Sequence, residues 1–188
     1  MLEQFLNHID RFKLCAKSDS ILLAVSGGVD SMAMLNLFKE AGYSFAVAHC
    51  NFQLRGKESD DDEIFVQRVC NDLKIPVYTL RFDTEAYAWE MGLSIQMAAR
   101  NLRYEWFNQL LKKHGHKWLA TGHHFDDTME TILLNLTKGT ATEGLAGIPV
   151  KNGNIIRPIL FATRRQVEDY ARCHGVVWRE DQSNFTDD

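Results

Sequence analysis

Apolar residues recur along the chain in two alternating rhythms. Leu2, Phe5, Leu6, Ile9 and Phe12 fall at helical spacing, and the continuous run Ile21-Leu22-Leu23-Ala24-Val25 then reads as a buried strand. Met32, Leu35, Leu37 and Phe38 return to a helical pattern, which Ala41-Gly42 closes. A second strand is predicted over Ser44–His49. The next helix is capped by Ser59 and opened by Asp60-Asp61-Asp62-Glu63, acidic residues that complement the helix dipole, with Ile64, Val66, Val69 and Leu73 on its apolar side. Strand three follows over Val77–Phe82. A long helix spans Ser94–His114, where Ile95, Ala98, Ala99, Leu102, Trp106, Leu110 and Leu111 sustain one apolar face. Strand four is Trp118–Thr121, a helix covers Asp126–Lys138, a fifth strand covers Ile155–Leu160, and Thr163–His174 is a closing helix. This alternation predicts an α/β fold, a parallel sheet of about five strands with helices on both faces. Ligands of such a sheet bind beyond the carboxyl ends of the strands.

Composition narrows the class. A chain of 188 residues, 45% hydrophobic and 24% charged, suits one globular domain over residues 1–188. The first residues lack the basic-then-apolar layout of a signal peptide, and no apolar run approaches the roughly 18 residues needed to span a bilayer. A cytoplasmic protein with no membrane partner is expected. Cys15, Cys50, Cys70 and Cys173 are dispersed, with no Cys-x-x-Cys pair, so reduced thiols are expected rather than a zinc knuckle or an iron–sulfur site. The formal charge of −4 argues against a stand-alone nucleic-acid-binding domain, though pairs such as Arg100 with Arg103 and Arg164 with Arg165 are candidate basic patches.

The chemistry concentrates in two segments. Ser26-Gly27-Gly28-Val29-Asp30-Ser31 lies between the first strand and its helix, where adjacent glycines let backbone approach an anion and the first free amides of the helix point at it. Ser26 and Ser31 add hydroxyls, and Asp30 is placed to hold Mg²⁺ between phosphate oxygens. No Gly-Lys-Ser/Thr follows, so this is not the common nucleoside-triphosphate loop. The second segment, Gly122-His123-His124-Phe125-Asp126-Asp127-Thr128-Met129-Glu130-Thr131, follows strand four and lands on the same rim, as does His49-Cys50-Asn51 after strand two. Asp127 and Glu130, three residues apart near a helix start, share a face and suit Mg²⁺ or a substrate ammonium. His-x-x-x-His spacing is absent, which disfavours zinc.

The hexapeptide resembles the pyrophosphate loop of the family that splits ATP between its α and β phosphates, with an adenine nucleotide alpha hydrolase-like, Rossmann-like fold. Further blocks narrow the resemblance: His49-Cys50-Asn51-Phe52-Gln53-Leu54-Arg55-Gly56, Ala98-Ala99-Arg100-Asn101-Leu102-Arg103-Tyr104, the Gly-His-His block, Ile156-Arg157-Pro158-Ile159-Leu160 and Trp178-Arg179-Glu180-Asp181-Gln182-Ser183-Asn184. In that order, they resemble the N-terminal domain of the tRNA(Ile)-lysidine synthetases. The resemblance implies a ligase that uses ATP to adenylate the 2-carbonyl of the wobble cytidine of tRNA(Ile) with a CAU anticodon. The ε-amine of L-lysine then displaces AMP. It places ATP on Ser26, Gly27, Gly28, Val29, Asp30 and Ser31, with Mg²⁺ at Asp30, and lysine on Asp127 and Glu130. Arg100 and Arg103 would steady ATP or the adenylate and join Asp30 and Asp127 as catalytic residues. His49, Asn51 and Arg55 would lie near the nucleotide and the tRNA. Phe52 departs from a frequent histidine and Thr128 from a frequent glutamine.

The resemblance further implies tRNA-binding domains C-terminal to residue 188, and a homodimer is a compatible assembly. A tRNA thiolase, an ammonia-using synthetase and a non-catalytic nucleotide-binding module are the competing classes. Residues 1–188 alone are expected to bind ATP but to modify tRNA poorly; robust lysidine formation by this segment overturns that expectation.

Overall fold

The computed structural model describes residues 1–137 and 146–180. Strands β1 (Ile21–Ala24), β2 (Phe45–Asn51), β3 (Val77–Arg81), β4 (Trp118–Ala120), β5 (Lys151–Asn152) and β6 (Ile155–Ile156) form one six-stranded sheet in the order β3-β2-β1-β4-β6-β5. All pairs are parallel except β5 with β6. β1 is central, with Leu22 opposite Ala46 on one side and Leu119 on the other. Chain order reverses about β1, since β2 and β3 lie to one side and β4 to the other. The crevice at such a switch point, outside the carboxyl ends of β1 and β4, is where a doubly wound sheet receives ligands.

Helices cover both faces. α1 (Leu2–Phe12), α2 (Val29–Glu40), α3 (Lys57–Asp72) and α7 (Arg164–Cys173) pack on one face, where Phe5, Ile9, Met34, Phe38, Val66 and Val167 are buried with Leu23 and Val47 of the sheet. α5 (Ile95–His114) covers the other, placing Trp106, Phe107, Leu110 and Leu111 against Leu22, Ala46, Ala48 and Leu119. α4 (Thr84–Met91) joins β3 to α5, and α6 (Phe125–Thr137) follows β4. Local chemistry sets several boundaries. Ser94 Oγ accepts from Met97 N–H at the start of α5, and Thr163 with Gln166 forms a reciprocal capping box on α7.

Three expectations change. The predicted fifth strand over Ile155–Leu160 shrinks to Ile155–Ile156 and pairs with an unpredicted antiparallel partner, giving six strands in place of about five. Pro158 has no N–H for a ladder, and Leu160 N–H and Ala162 N–H turn back onto Arg157 and Ile159 carbonyls. α3 begins at Lys57, before Ser59, whose hydroxyl instead accepts the Arg55 N–H from inside the first turn. α4 was not predicted, and Lys138, the expected end of α6, lies outside the described residues.

Phe38 is fully buried and meets Phe5 and Tyr43 edge-on, with ring centroids 5.1 and 5.4 Å away. Phe38→Ala is expected to cost about 3–5 kcal/mol. Urea unfolding would show it as a lower midpoint with an unchanged slope.

Candidate nucleotide and amino-acid site

The glycine loop is shaped by its own serines. Ser31 Oγ accepts from the amides of Ser26 at 3.2 Å and Gly27 at 3.3 Å and donates to the Gly28 carbonyl at 2.9 Å. Ser26 Oγ accepts from Gly28 N–H at 3.3 Å. Ser31, expected as a phosphate donor, is thus buried and holds the loop's shape. Gly27 has φ +102°, a region that L side chains rarely adopt. α2 starts on this turn with Gly28 as N-cap and no side-chain cap, which leaves its first amides available to an anion.

Asp30, in the first turn of α2, aims a carboxylate along the rim. Its Oδ1 is buried without a hydrogen-bond partner and lies 3.7 Å from His124 Nε2. Burial pushes the Asp30 carboxyl above the usual carboxylate range, against the pull of His124 and Arg164. His124 is itself buried at the start of α6; its N–H donates to Asp127 Oδ2 at 2.8 Å, and its Nδ1 accepts from the Asp127 amide at 3.4 Å. With Nδ1 accepting, the ring proton falls on Nε2, facing Asp30. Gly122 lets β4 close on the loop, because a Cβ there would stand 3.3 Å from Ser31 N and 3.4 Å from the Asp30 carbonyl.

Three cavities lie at this rim; one of about 430 Å³, between the loop and α7, is lined by Ser26, Gly28, Asp30, Arg164, Arg172 and Arg179, and the other two adjoin. The first of the adjoining pair, about 300 Å³, runs from Ser26, Asp30 and Ser31 over Ala24, Ala48 and Cys50 to Phe52, Arg103 and Phe107. One end is polar loop and the other apolar wall, the layout that a nucleotide needs for its phosphates and its base. Phe52 stacks on Phe82 with centroids 5.5 Å apart, and the Arg103 guanidinium lies 5.1 Å from the Phe52 ring centroid, so this departure from histidine builds the wall. The second cavity, about 480 Å³, has Asp127 and Glu130 with Arg100 and Arg157 in its lining. Arg157 is buried, bonds to the Pro149 carbonyl through one terminal nitrogen, and keeps an unpartnered Nε. Tyr104, His123 and Asp127 line both cavities.

Thus Asp30, Asp127, Glu130, Arg100 and Arg103 gather on one rim. His49, Asn51 and Arg55 lie apart from its opening. His49 is buried with Nδ1 2.9 Å from the Val25 carbonyl, and Asn51 is buried against Asp60 and Glu63 at 2.9 Å each. Arg55 pairs with Asp62 at 2.8 Å. In this structure the first two support the rim from beneath. Asp126, the neighbour of Asp127, accepts the Arg164 amide at 2.7 Å and so ties α7 to α6. Sequence reasoning named Tyr104 and His124 only within motif blocks; the capping position of His124 beside Asp127 was the available signal. Burial pushes the Cys50 thiol up to about 12, so in this cavity it stays protonated.

A parallel sheet with a glycine loop at its switch point and no loop lysine defines a nucleotide-binding α/β domain. The match to the PP-loop domain family spans residues 1–188, and the chain belongs to that family, whose site is built for ATP. The tRNA(Ile)-lysidine synthase of Porphyromonas gingivalis strain W83 is 50% identical over 165 residues, covering 87% of this chain and 36% of that protein. The tRNA(Ile)-lysidine synthase of Chlorobaculum tepidum is 46% identical over 186 residues, covering 97% of this chain and 56% of that protein. The chain therefore spans about a third to just over half of these relatives. Among solved structures, the U34-tRNA thiolase NcsA from Methanococcus maripaludis with its [4Fe-4S] cluster superposes with a TM-score of 0.76. That match covers 95% of this chain and 64% of that one at 17% identity. An NH3-dependent NAD synthetase from Campylobacter jejuni gives 0.59, covering 98% and 74% at 18% identity. These two likenesses show a shared fold.

Burial lowers the pKa of His49 and His123 from 6.5, so the unfolded chain takes up their protons more readily than the folded one. Their stabilising contribution is full above pH 6.5 and is lost as pH falls below it. His49→Asn, which retains a donor near Val25 O, should flatten the loss of stability between neutrality and about pH 5. Urea midpoints at stepped pH test this, and a slope equal to that of the parent chain refutes it.

Proposed function

We propose that this chain is the adenylating domain of a tRNA(Ile)-lysidine synthase, acting on ATP, L-lysine and the wobble cytidine of a tRNA(Ile) with a CAU anticodon. The observation that carries the reading is the pair of adjoining cavities. One offers a phosphate loop and an apolar wall; the other offers carboxylates beside arginines, the charge pattern of an amino acid with a second amine. The curated relatives with the same blocks bear the same name, which supports the substrate assignment.

In the first step the cytidine 2-carbonyl oxygen attacks the α-phosphorus of ATP. The α–β bridging bond breaks and pyrophosphate leaves. Amides at the start of α2 face the developing charge, and preorganised donors of this kind need no reorganisation as the charge forms. Arg103, over Phe52 at the nucleotide cavity, is placed for the adenylate, with Arg100 beside the second cavity. In the second step the lysine ε-amine attacks C2, the C2–O bond breaks, AMP departs with that oxygen, and the amine sheds a proton. Asp127, on the wall common to both cavities, is placed to hold that amine toward the adenylate, and Glu130 to select it by charge. Arg157 and Arg100 are positioned to take the α-carboxylate, for which guanidinium is well matched.

The orphaned Asp30 Oδ1 fits a magnesium ion. Among the described residues no three His, Cys, Asp or Glu side chains cluster as a metal site, so this ion would be held mainly by phosphate oxygens and water, as is usual for magnesium. When bound, it would supply charge neutralisation on the leaving pyrophosphate. No helix among the described residues is long and apolar enough to cross a membrane.

Pyrophosphate release by the full-length protein should require a CAU-anticodon tRNA(Ile) with cytidine at the wobble position, and lysidine should form only with lysine present. Release without that cytidine would overturn the reading. Asp30→Ala is expected to lower adenylation by at least about 10²-fold, whereas Glu130→Ala should chiefly raise the lysine KM. The opposite pattern would reverse the two roles.

A further inference from the structure

The loop's serines hold three of its amides from within, but the Gly27 carbonyl is held from outside the loop. Gly27 O accepts the backbone N–H of Arg179 at 3.0 Å, from the segment that follows α7. The Arg179 side chain anchors that segment: its Nε bonds to Asp62 Oδ1 on α3, while Arg55 holds Asp62 Oδ2 at 2.8 Å. α3 also backs the loop directly, since a Cβ on Gly27 would lie 3.5 Å from Val66 and 3.6 Å from Phe65. The loop, α3 and the C-terminal segment therefore meet at Gly27.

A bond to this particular carbonyl has a specific consequence. Gly27 C=O and Gly28 N–H belong to one planar peptide unit and point in opposite directions. Holding the carbonyl outward keeps the Gly28 N–H inward, where it meets Ser26 Oγ. A peptide between two glycines has little steric resistance to flipping. A flipped unit would break the Gly28 bond to Ser26 Oγ that shapes the loop and turn a carbonyl lone pair to the side that amide faced, which opposes anion binding.

We propose that Arg179, anchored on Asp62, is a positioning residue that prevents the Gly27–Gly28 peptide from flipping and so keeps the loop competent for triphosphate. The proposal rests on the loop binding ATP and is independent of the tRNA substrate. In the full-length protein, without tRNA or lysine, Arg179→Ala should weaken ATP binding about tenfold and Arg179→Lys should recover part of the loss. Asp62→Asn should match Arg179→Ala, and the double variant should be no worse than either single one, the behaviour of coupled sites. Deuterium uptake by the peptide covering residues 25–31, measured without nucleotide, should rise in Arg179→Ala while the lysine KM stays unchanged. ATP affinity within twofold of the parent, unchanged uptake, or additive losses would overturn the proposal. If Asp62→Asn misfolds through loss of the Arg55 pair, the two Arg179 variants and the uptake measurement decide the matter. A protein that shows these ATP effects but forms no lysidine would overturn only the assignment of the tRNA substrate.

Discussion

The site depends on a close approach of backbone to backbone. Gly122, just beyond β4, lies against the peptide linking Asp30 to Ser31, so close that a Cβ there would stand only 3.3 Å from Ser31 N. That contact brings the block after β4 to the loop after β1, although 90-odd residues of sequence separate them. Parallel pairing of β1 with β4 in register, Leu22 beside Leu119 and Leu23 beside Ala120, delivers both loops to the same level. Without that register, His124 would not reach Asp30 and the two cavities would not adjoin.

Charge is then distributed by burial. Asp30 loses most of its water and gains only a histidine 3.7 Å away, too long for a hydrogen bond. Its neighbour on the rim, Asp127, has one oxygen occupied by the His124 amide, leaving the other toward the cavities. The two carboxylates are thus unequal. One is a buried acceptor with an unsatisfied oxygen; the other is already fixed by a backbone donor.

Much of this was readable from residue spacing. The glycine hexapeptide after an apolar run, and the three-residue offset of Asp127 and Glu130, depend on local geometry that sequence encodes directly. The β5–β6 hairpin has a signal in Gly153-Asn154 between short segments, yet the apolar run of Ile155-Ile156 draws the strand too far and past Pro158. His49 and Asn51 stand in the right block, but their inward orientation follows from β2 being an interior strand, which only the sheet order reveals. Arg157 stands in the Ile156–Leu160 block, but its burial beside Pro149 depends on a contact across the hairpin that no periodicity records.

The short hairpin also bears on edge-to-edge pairing of the sheet. β5 offers only Lys151 and Asn152 as an edge, and the Lys151 ammonium lies 4.0 Å from the Trp118 ring centroid and bonds to the Lys13 carbonyl. An edge so brief and charged gives a second chain almost no ladder to extend, a familiar guard against fibre growth. Among the described residues, β3 is the longer of the two border strands and the one with a run on which another strand could register.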